Sequence, residues 1–430
     1  MKINPLEKAG LLFLNMKNEE EDLKYLFQQE FAKMVAVISR MYGLQYIETA
    51  EDIVSETFLQ ATETWKEKGV PVNPTAWLYV VAKQKTLQQF RRNKIFEEKV
   101  IPQIKSAQEK QEEADLDFSQ QHIKDSQLQM MFAVCNPAIA SEAQIGLALR
   151  ILCGFSIDEI AEAFLSNKET INKRLFRAKE KLRNENIKME LPAENEIAHR
   201  LDNVLHIIYL LFNEGYYSQT QNQILRKELC IEAMRLAITL TEYDKTNLPK
   251  TNALMALMCF HASRFTARES KEASVLYEEQ DENLWDKNLI EQGMHYLGLS
   301  AYGNEISSYH LEARIAYWHC IKEDTKEKWN EILSLYNQLL MINYSSAVAL
   351  NRTYALYKAN GQEEALQEAK KLKLEGNHFY FLLLGELYKD IDNEKAKLSL
   401  EKALALAKTQ TEKQAIQNKI DNFSTNDISG

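Results

Sequence analysis

The sequence predicts an all-α protein built from several helical domains. Three observations point there. Gly and Pro are scarce, 13 and 7 in 430 residues, which argues against a turn-rich β-sandwich and against a nucleotide-cradling α/β domain. Apolar residues recur at helical spacing, as in Val54, Phe58, Ala61 and Trp65. Helix-capping side chains precede such runs, most clearly in Ser156-Ile157-Asp158-Glu159. With 45% apolar and 27% charged residues the balance is that of a globular protein, and at about 150 residues per domain the length suggests roughly three domains.

Residues 20–94 form the first predicted domain. Val54, Phe58, Ala61 and Trp65 mark one face of a helix whose remainder is acidic through Glu51, Asp52, Glu56 and Glu63. Gly69-Val70-Pro71-Val72-Asn73-Pro74 reads as a stiff turn, in which Pro74 discourages helix immediately before it and Thr75 is placed to cap the next one. That helix opens with Ala76-Trp77-Leu78-Tyr79 and ends in a run of five bases without an acid: Lys83, Lys85, Arg91, Arg92 and Lys94. Aromatic rings followed by cations suit single-stranded DNA, because rings stack on exposed bases and cations track phosphates. Taken singly, Trp77 and Tyr79 read better as core aromatics. Residues 95–125 are acidic and poor in large apolar groups, the composition of a linker.

Residues 126–188 carry the most specific local pattern. Gly154 follows an apolar helix (Ile145, Leu149, Leu152) and can serve as its left-handed cap. The capping box at Ser156 starts a helix with Ile157, Ile160, Ala161 and Phe164 on one face. After a short turn, Ser166-Asn167-Lys168-Glu169 reads as a second capping box. The helix behind it places Ile171, Leu175, Ala178 and Leu182 inward. Glu169, Lys173 and Arg177 fall on the opposite side, flanked by Thr170, Arg174 and Lys181. One apolar and one basic face is what the recognition helix of a helix-turn-helix requires: it docks by one side and enters the major groove by the other. Lys and Arg there bind phosphates or the guanine edge. The plainer alternative is a solvated basic helix in an α-hairpin.

Pro192 closes this segment, and two further helical segments follow at 197–322 and 328–410. The second repeats itself weakly. Leu356-Tyr357-Lys358 recurs as Leu387-Tyr388-Lys389, Glu363 and Ala365 as Glu394 and Ala396, and Ala369 and Leu372 as Ala403 and Leu406. Each unit reads as a helix, a polar turn and a second helix, which resembles degenerate tetratricopeptide units. A plain bundle with chance similarity is the alternative.

The net charge of −10 alone would argue against nucleic acid. Its distribution does not. Residues 1–190 carry 26 bases and 28 acids, the remainder 26 and 34, and Lys168–Arg183 holds seven bases against two acids. Screening limits phosphate attraction to about 8–10 Å, so the local count matters more than the total.

No apolar run reaches the length of a membrane helix, and Leu11–Leu14 is too short for a secretory core. Five scattered Cys without a C-x-x-C pair suit a reduced, cytoplasmic location. Neither H-E-x-x-H nor a phosphate-binding glycine loop occurs, so no catalytic activity, cofactor or metal is expected. His261 and His319, near Cys259 and Cys320, read as core residues, with a metal site of the four as the minor alternative. Glu278, Glu279 and Asp281 beside Arg264 and Arg268 read as a salt-bridged helix junction, or as a surface for a partner or ligand.

The combination of Asp52-Ile53-Val54-Ser55-Glu56-Thr57-Phe58, Pro74-Thr75-Ala76-Trp77-Leu78 leading into Arg91-Arg92, and the helix-turn-helix resembles an extracytoplasmic-function sigma factor of bacterial RNA polymerase. Cys135-Asn136-Pro137-Ala138, Leu210–Tyr216, His261–Arg268 and Glu278–Asp281 with Trp285 are similar to one subgroup, which carries a long tetratricopeptide-like extension. The resemblance begins after about Glu20, so Met16 is a second candidate start.

It implies that Asp52, Ser55 and Glu56 bind the clamp helices of core polymerase, with a further contact to its flap. Asn73, Trp77, Lys83, Lys85, Arg91, Arg92 and Lys94 would recognise and open the minus-ten element, with the turn at Asn73 as the candidate base pocket. Lys168, Glu169, Thr170, Lys173, Arg174 and Arg177 would read the minus-thirty-five element. Ser55 departs from the family, which often has Gln there, and that weakens the inferred polymerase contact at this position. The acidic extension could fold back on the sigma domains. Two other readings remain: a helix-turn-helix regulator with a partner-binding repeat domain that does not bind core polymerase, and a helical scaffold that binds no DNA.

Overall fold

The computed structural model describes residues 19–100, 116–164, 166–216, 227–268, 280–408 and 410–426. Among the described residues there are nineteen α-helices and no strand. The chain divides into two compact units, Met1–Ile207 and Ile208–Gly430.

The first unit begins with α1 (Glu19–Tyr42), α2 (Ile47–Lys68) and α3 (Pro74–Val100). Phe31, Val35 and Ile38 of α1, Ile53, Val54, Phe58 and Ala61 of α2, and Leu78 and Ala82 of α3 are buried. Gly69, at φ 79°, ends α2 and donates its N–H to the Trp65 carbonyl at 2.8 Å. The start of α3 differs from the expectation. Helix begins at Pro74, not after Thr75, and the cap is Asn73, whose Oδ1 accepts the Ala76 N–H at 3.0 Å. The reason is that Pro at the first helical position loses no needed hydrogen bond, so the helix can start one residue earlier. The acidic stretch is helical at both ends: α3 runs on to Val100, and α4 (Gln120–Val134) begins inside it. Its Glu, Gln and Lys residues are good helix formers. Residues 101–115 of the expected linker lie outside the described residues.

After α4, α5 (Ser141–Leu147) continues as a π-helical turn, Ala148–Leu152. Gly154, at φ 73°, turns the chain into α6 (Ile157–Ala163). The capping box at Ser156 is formed, with Ser156 Oγ and Glu159 each accepting the other's backbone N–H. At α7 (Lys168–Asn184) the cap is Asn167, which accepts from Thr170, so no second box centred on Ser166 forms. Asn is as good a cap as Ser, and here it sits one residue nearer the helix. The boundary between units falls inside α8 (Glu194–Tyr216). In the first unit, Arg200 donates to the Phe132 carbonyl (2.9 Å) and Asn203 to the Cys135 carbonyl (2.6 Å). Both satisfy orphan acceptors at the end of α4.

The second unit contains α9 (Lys227–Thr241), α10 (Pro249–Ala262), the short α11 (Phe265–Arg268), α12 (Lys287–Ser300), α13 (Ser308–Trp318), α14 (Lys326–Ile342), α15 (Ser346–Asn360), α16 (Gln362–Leu372), α17 (His378–Tyr388), α18 (Asn393–Leu406) and α19 (Gln410–Asn426). Every residue from Thr251 to Phe260 is buried, because α10 is enclosed on all sides, with α9, α12 and α13 packed against it. The repeated sequence coincides with two helix pairs, α15 with α16 and α17 with α18. Leu350, Leu356, Ala365, Ala369, Leu383 and Leu387 form a core shared by α15, α16 and α17, while Leu400 and Ala403 of α18 pack with Ile416 and Ile420 of α19.

Candidate nucleic-acid and polymerase interface

The outward face of α7 carries most of the expected residues. Lys168, Glu169, Thr170, Lys173 and Arg177 are exposed, and Arg174 is half-buried. Several bases are already paired: Lys173 with Glu169 at 2.6 Å, Lys168 with Asp158 at 2.5 Å and Arg174 with Glu142 at 3.5 Å. These are exposed pairs of small energy, which phosphates displace readily. Phe176 stands between Lys173 and Arg177 with 53% of its surface exposed, a residue to which the sequence pattern assigns no role.

Two bases of the same helix point the other way. Lys179 is buried and pairs with Glu51 of α2, which also accepts from Arg150 Nε at 2.7 Å. Arg183 reaches Glu48 of α2 at 2.7 Å. The basic block Lys168–Arg183 is therefore split between an outer and an inner face.

On α2, Asp52, Ser55 and Glu56 are exposed together at positions i, i+3 and i+4. Leu59 extends this face and is also exposed. Partial burial, then the neighbouring Glu51 and Glu56 charges, raise the Asp52 carboxyl above its usual range. Glu56 pairs with Lys85 of α3 at 3.3 Å, so the acidic helix and the basic run partly neutralise each other.

Helical geometry separates the α3 candidates. Trp77, Lys85, Arg91 and Arg92 spread over about 120° of the helix, and Lys83 lies outside that arc, beside Arg91. Arg91 and Arg92 are exposed. Trp77 is half-buried and packs edge-on against Trp65, ring centroids 5.4 Å apart. Asn73 is exposed, but its carbonyl oxygen is committed to capping α3. The side chain of Lys94 lies outside the described residues. Tyr79 donates to Glu30 at 2.5 Å, and burial followed by the Glu30 charge pushes its phenol up.

In the second unit, Arg268 lies 4.0 Å over the Tyr216 ring, and Arg264 is 3.4 Å from His261 Nδ1. Burial, then Arg264 and Arg268, hold His261 well below the usual histidine range, so this ring is neutral. The Asp281 carboxylate caps a short turn by accepting from the Asn283 N–H. Glu278 and Glu279 of the expected junction lie outside the described residues. Among the described residues no group of three His, Cys, Asp or Glu is placed to hold a metal ion, and no helix is long and apolar enough to cross a membrane.

Comparison with known proteins gives two family matches. Residues 26–95 match Sigma-70 region 2, which covers α2 and most of α1 and α3. Residues 200–301 match a family of unknown function, DUF6596. An uncharacterized protein of Rhizobium meliloti (strain 1021) is 31% identical over 386 residues, spanning 88% of this chain and 90% of the relative. No solved structure matches.

Proposed function

We propose that this chain, which belongs to one family with the Rhizobium meliloti protein and carries a Sigma-70 region 2, is a bacterial sigma factor that directs RNA polymerase to promoters. Sigma-70 region 2 implies binding to core polymerase and to the minus-ten element. The observation that carries the reading is the placement of that match. It spans the exposed Asp52, Ser55 and Glu56, two acids and a serine, together with the aromatic and basic helix α3. In this reading α2 docks on the clamp helices, and Asn73, Trp77, Lys85, Arg91 and Arg92 meet the opened minus-ten strand. Extruding a base costs a few kcal/mol, which stacking and pocket contacts must offset.

The helix pair α6 and α7 supplies the second contact, to the minus-thirty-five element and the polymerase flap. Its support is the formed capping box, the turn and the exposed Thr170, Lys173 and Arg177. The α8–α19 extension regulates or supports initiation.

The test is co-migration of the purified chain with bacterial core polymerase, followed by transcription from a genomic promoter library. Binding with discrete start sites that core alone does not give is the expected result. Duplex binding without any complex with core would instead favour a helix-turn-helix regulator. Replacing Lys173 and Arg177 by Ala should flatten the salt dependence of duplex binding by about one log–log unit for each phosphate no longer neutralised.

A further inference from the structure

The turn between α13 and α14 and the last turn of α15 border an open cleft of about 400 Å³ in the second unit. Sites for small molecules measure about 300–1,000 Å³, so the space is sufficient. Trp329 is the most buried part of its lining, at 5% exposed, and Lys326 stands exposed at its mouth. The Trp329 indole N–H donates to one oxygen of Asp324. The Lys358 ammonium, from α15, donates to the other at 2.6 Å. Against the opposing effect of burial, these two bonds hold the Asp324 carboxyl below its usual range. Lys358 also lies 5.5 Å from the centre of the Trp329 ring, and Lys328 lies 5.7 Å from it. Lys328 is 2% exposed and donates to the Ile321 carbonyl at 2.5 Å.

The charges around the cleft do not balance. Lys326 and Lys358 line it, Lys328 stands on the same Trp329 ring, and Asp324 is the one acid in the lining. Glu323 and Glu327 are exposed nearby but do not line it. Burial, then the Lys322, Lys358 and Arg264 charges against the opposing Asp324, hold the Lys328 ammonium below its usual range, as positive surroundings require. Both Asp324 oxygens already accept a hydrogen bond, so the cleft does not favour a cation. An ammonium has three donors, and Asp324 takes one from Lys358. Two lysines acting as point charges suit a phosphate, whose charge of about −1.5 to −2 at neutral pH matches theirs better than a carboxylate does. The Trp329 and Tyr357 rings supply the apolar part of the wall.

We propose that this cleft binds a small phosphomonoester, with its phosphate between Lys326 and Lys358 and its carbon skeleton against Trp329 and Tyr357. The ligand would reinforce the link from the α13–α14 turn to α15 that Asp324 and Lys358 now make. The site lies within the second unit and stands independently of the sigma reading.

The experiment is titration calorimetry of the full chain with ribose 5-phosphate and adenosine monophosphate, with ribose and inorganic sulfate as controls. One phosphomonoester should bind per chain with a dissociation constant of about 0.1 mM or below at low salt. Ribose should not bind, and sulfate should bind at least about tenfold more weakly. Lys326→Ala and Lys358→Ala should each weaken binding about tenfold, whereas Lys397→Ala, an exposed lysine on α18, should not change it. Asp324→Asn keeps an acceptor for Trp329 and removes the acid that competes for Lys358. It should tighten binding about two- to fivefold. Bound ligand should slow amide exchange at the first turn of α14 and the last turn of α15.

No binding of either phosphomonoester up to about 10 mM would overturn the proposal. So would binding that Lys326→Ala and Lys358→Ala leave unchanged, which would place the phosphate on another basic surface. Weaker binding by a folded Asp324→Asn chain would show that the carboxylate itself holds the ligand, and the anion reading would fall. Sulfate bound as tightly as ribose 5-phosphate would reduce the cleft to a simple anion site and refute the part given to Trp329 and Tyr357. Failure to bind core polymerase would remove the sigma reading and leave these results as they are.

Discussion

Gly293→Ala tests how tightly the second unit is built. A Cβ at Gly293 on α12 would lie 2.5, 2.7 and 2.9 Å from Cε1, Cδ1 and Cζ of Phe260 on α10. Phe260 is fully buried, and Tyr317 packs against its ring at 5.7 Å between centroids. The ring therefore has little room to retreat. Ala gains about 1 kcal/mol over Gly in helix propensity, and a forced repacking costs about 1–3 kcal/mol, more where the backbone must part. The expected net loss is up to about 2 kcal/mol, confined to the second unit. A chain of two units need not unfold in one step, so a single melting temperature is the wrong readout. Amide exchange of α10 and α12 peptides is the right one, with rates rising roughly tenfold for about 1.4 kcal/mol while α1–α3 stay unchanged. Adding Phe260→Leu should recover part of the loss, because the two changes act on the same close approach. Wild-type exchange in Gly293→Ala alone would show that the ring yields freely and that the close approach is not needed. The same variant reports on function: transcription that falls with α10 protection makes the extension an active part, and transcription that rises makes it a restraint.

Other substitutions probe single features. Glu312 is pushed up to about 7 by burial, against the opposing hydrogen bond from Tyr209 at 2.8 Å. The folded state thus holds this proton more tightly than the unfolded chain, so its contribution is full below the unfolded value near 4.5 and is lost as pH rises to about 7. The loss is up to about 3 kcal/mol, and Glu312→Gln should remove that slope from urea unfolding of the second unit between those pH values. Gly154→Ala meets Phe31 only at ordinary contact, 3.6 Å, so its cost should be the left-handed backbone alone, about 1–2 kcal/mol by denaturant unfolding. Asn73→Ala should destabilise the start of α3 by about 1 kcal/mol, whereas Asn73→Asp should keep the cap. If Asn73 also reads a base, Asp should reduce open-complex formation at unchanged stability; equal transcription by Asp and wild type would leave it as a cap only.

How far the sequence can be read depends on how local each feature is. The Ser156 capping box, the left-handed Gly154 and the inward set Ile171, Leu175, Ala178 and Leu182 all obey rules within one or two turns, and each is found in the structure. The wholly apolar stretch around Leu254–Phe260 likewise announces a helix buried all round. Counting charge along the chain fails at α7, because a block of bases says nothing about which of them meets a partner from afar. A sum places Lys179 with the outward-facing bases, yet it stands four residues after Leu175 and three before Leu182, on the border of the buried face. Glu51 stands three residues before Val54, on the matching border of α2. A base and an acid at border positions of two amphipathic helices form a signature for a buried ion pair, but only once something places the helices together. Residues 51 and 179 are 128 positions apart, and no local rule links them. What stays hidden in the sequence is therefore the long-range pairing by which one helix divides its charge between solvent outside and a carboxylate within.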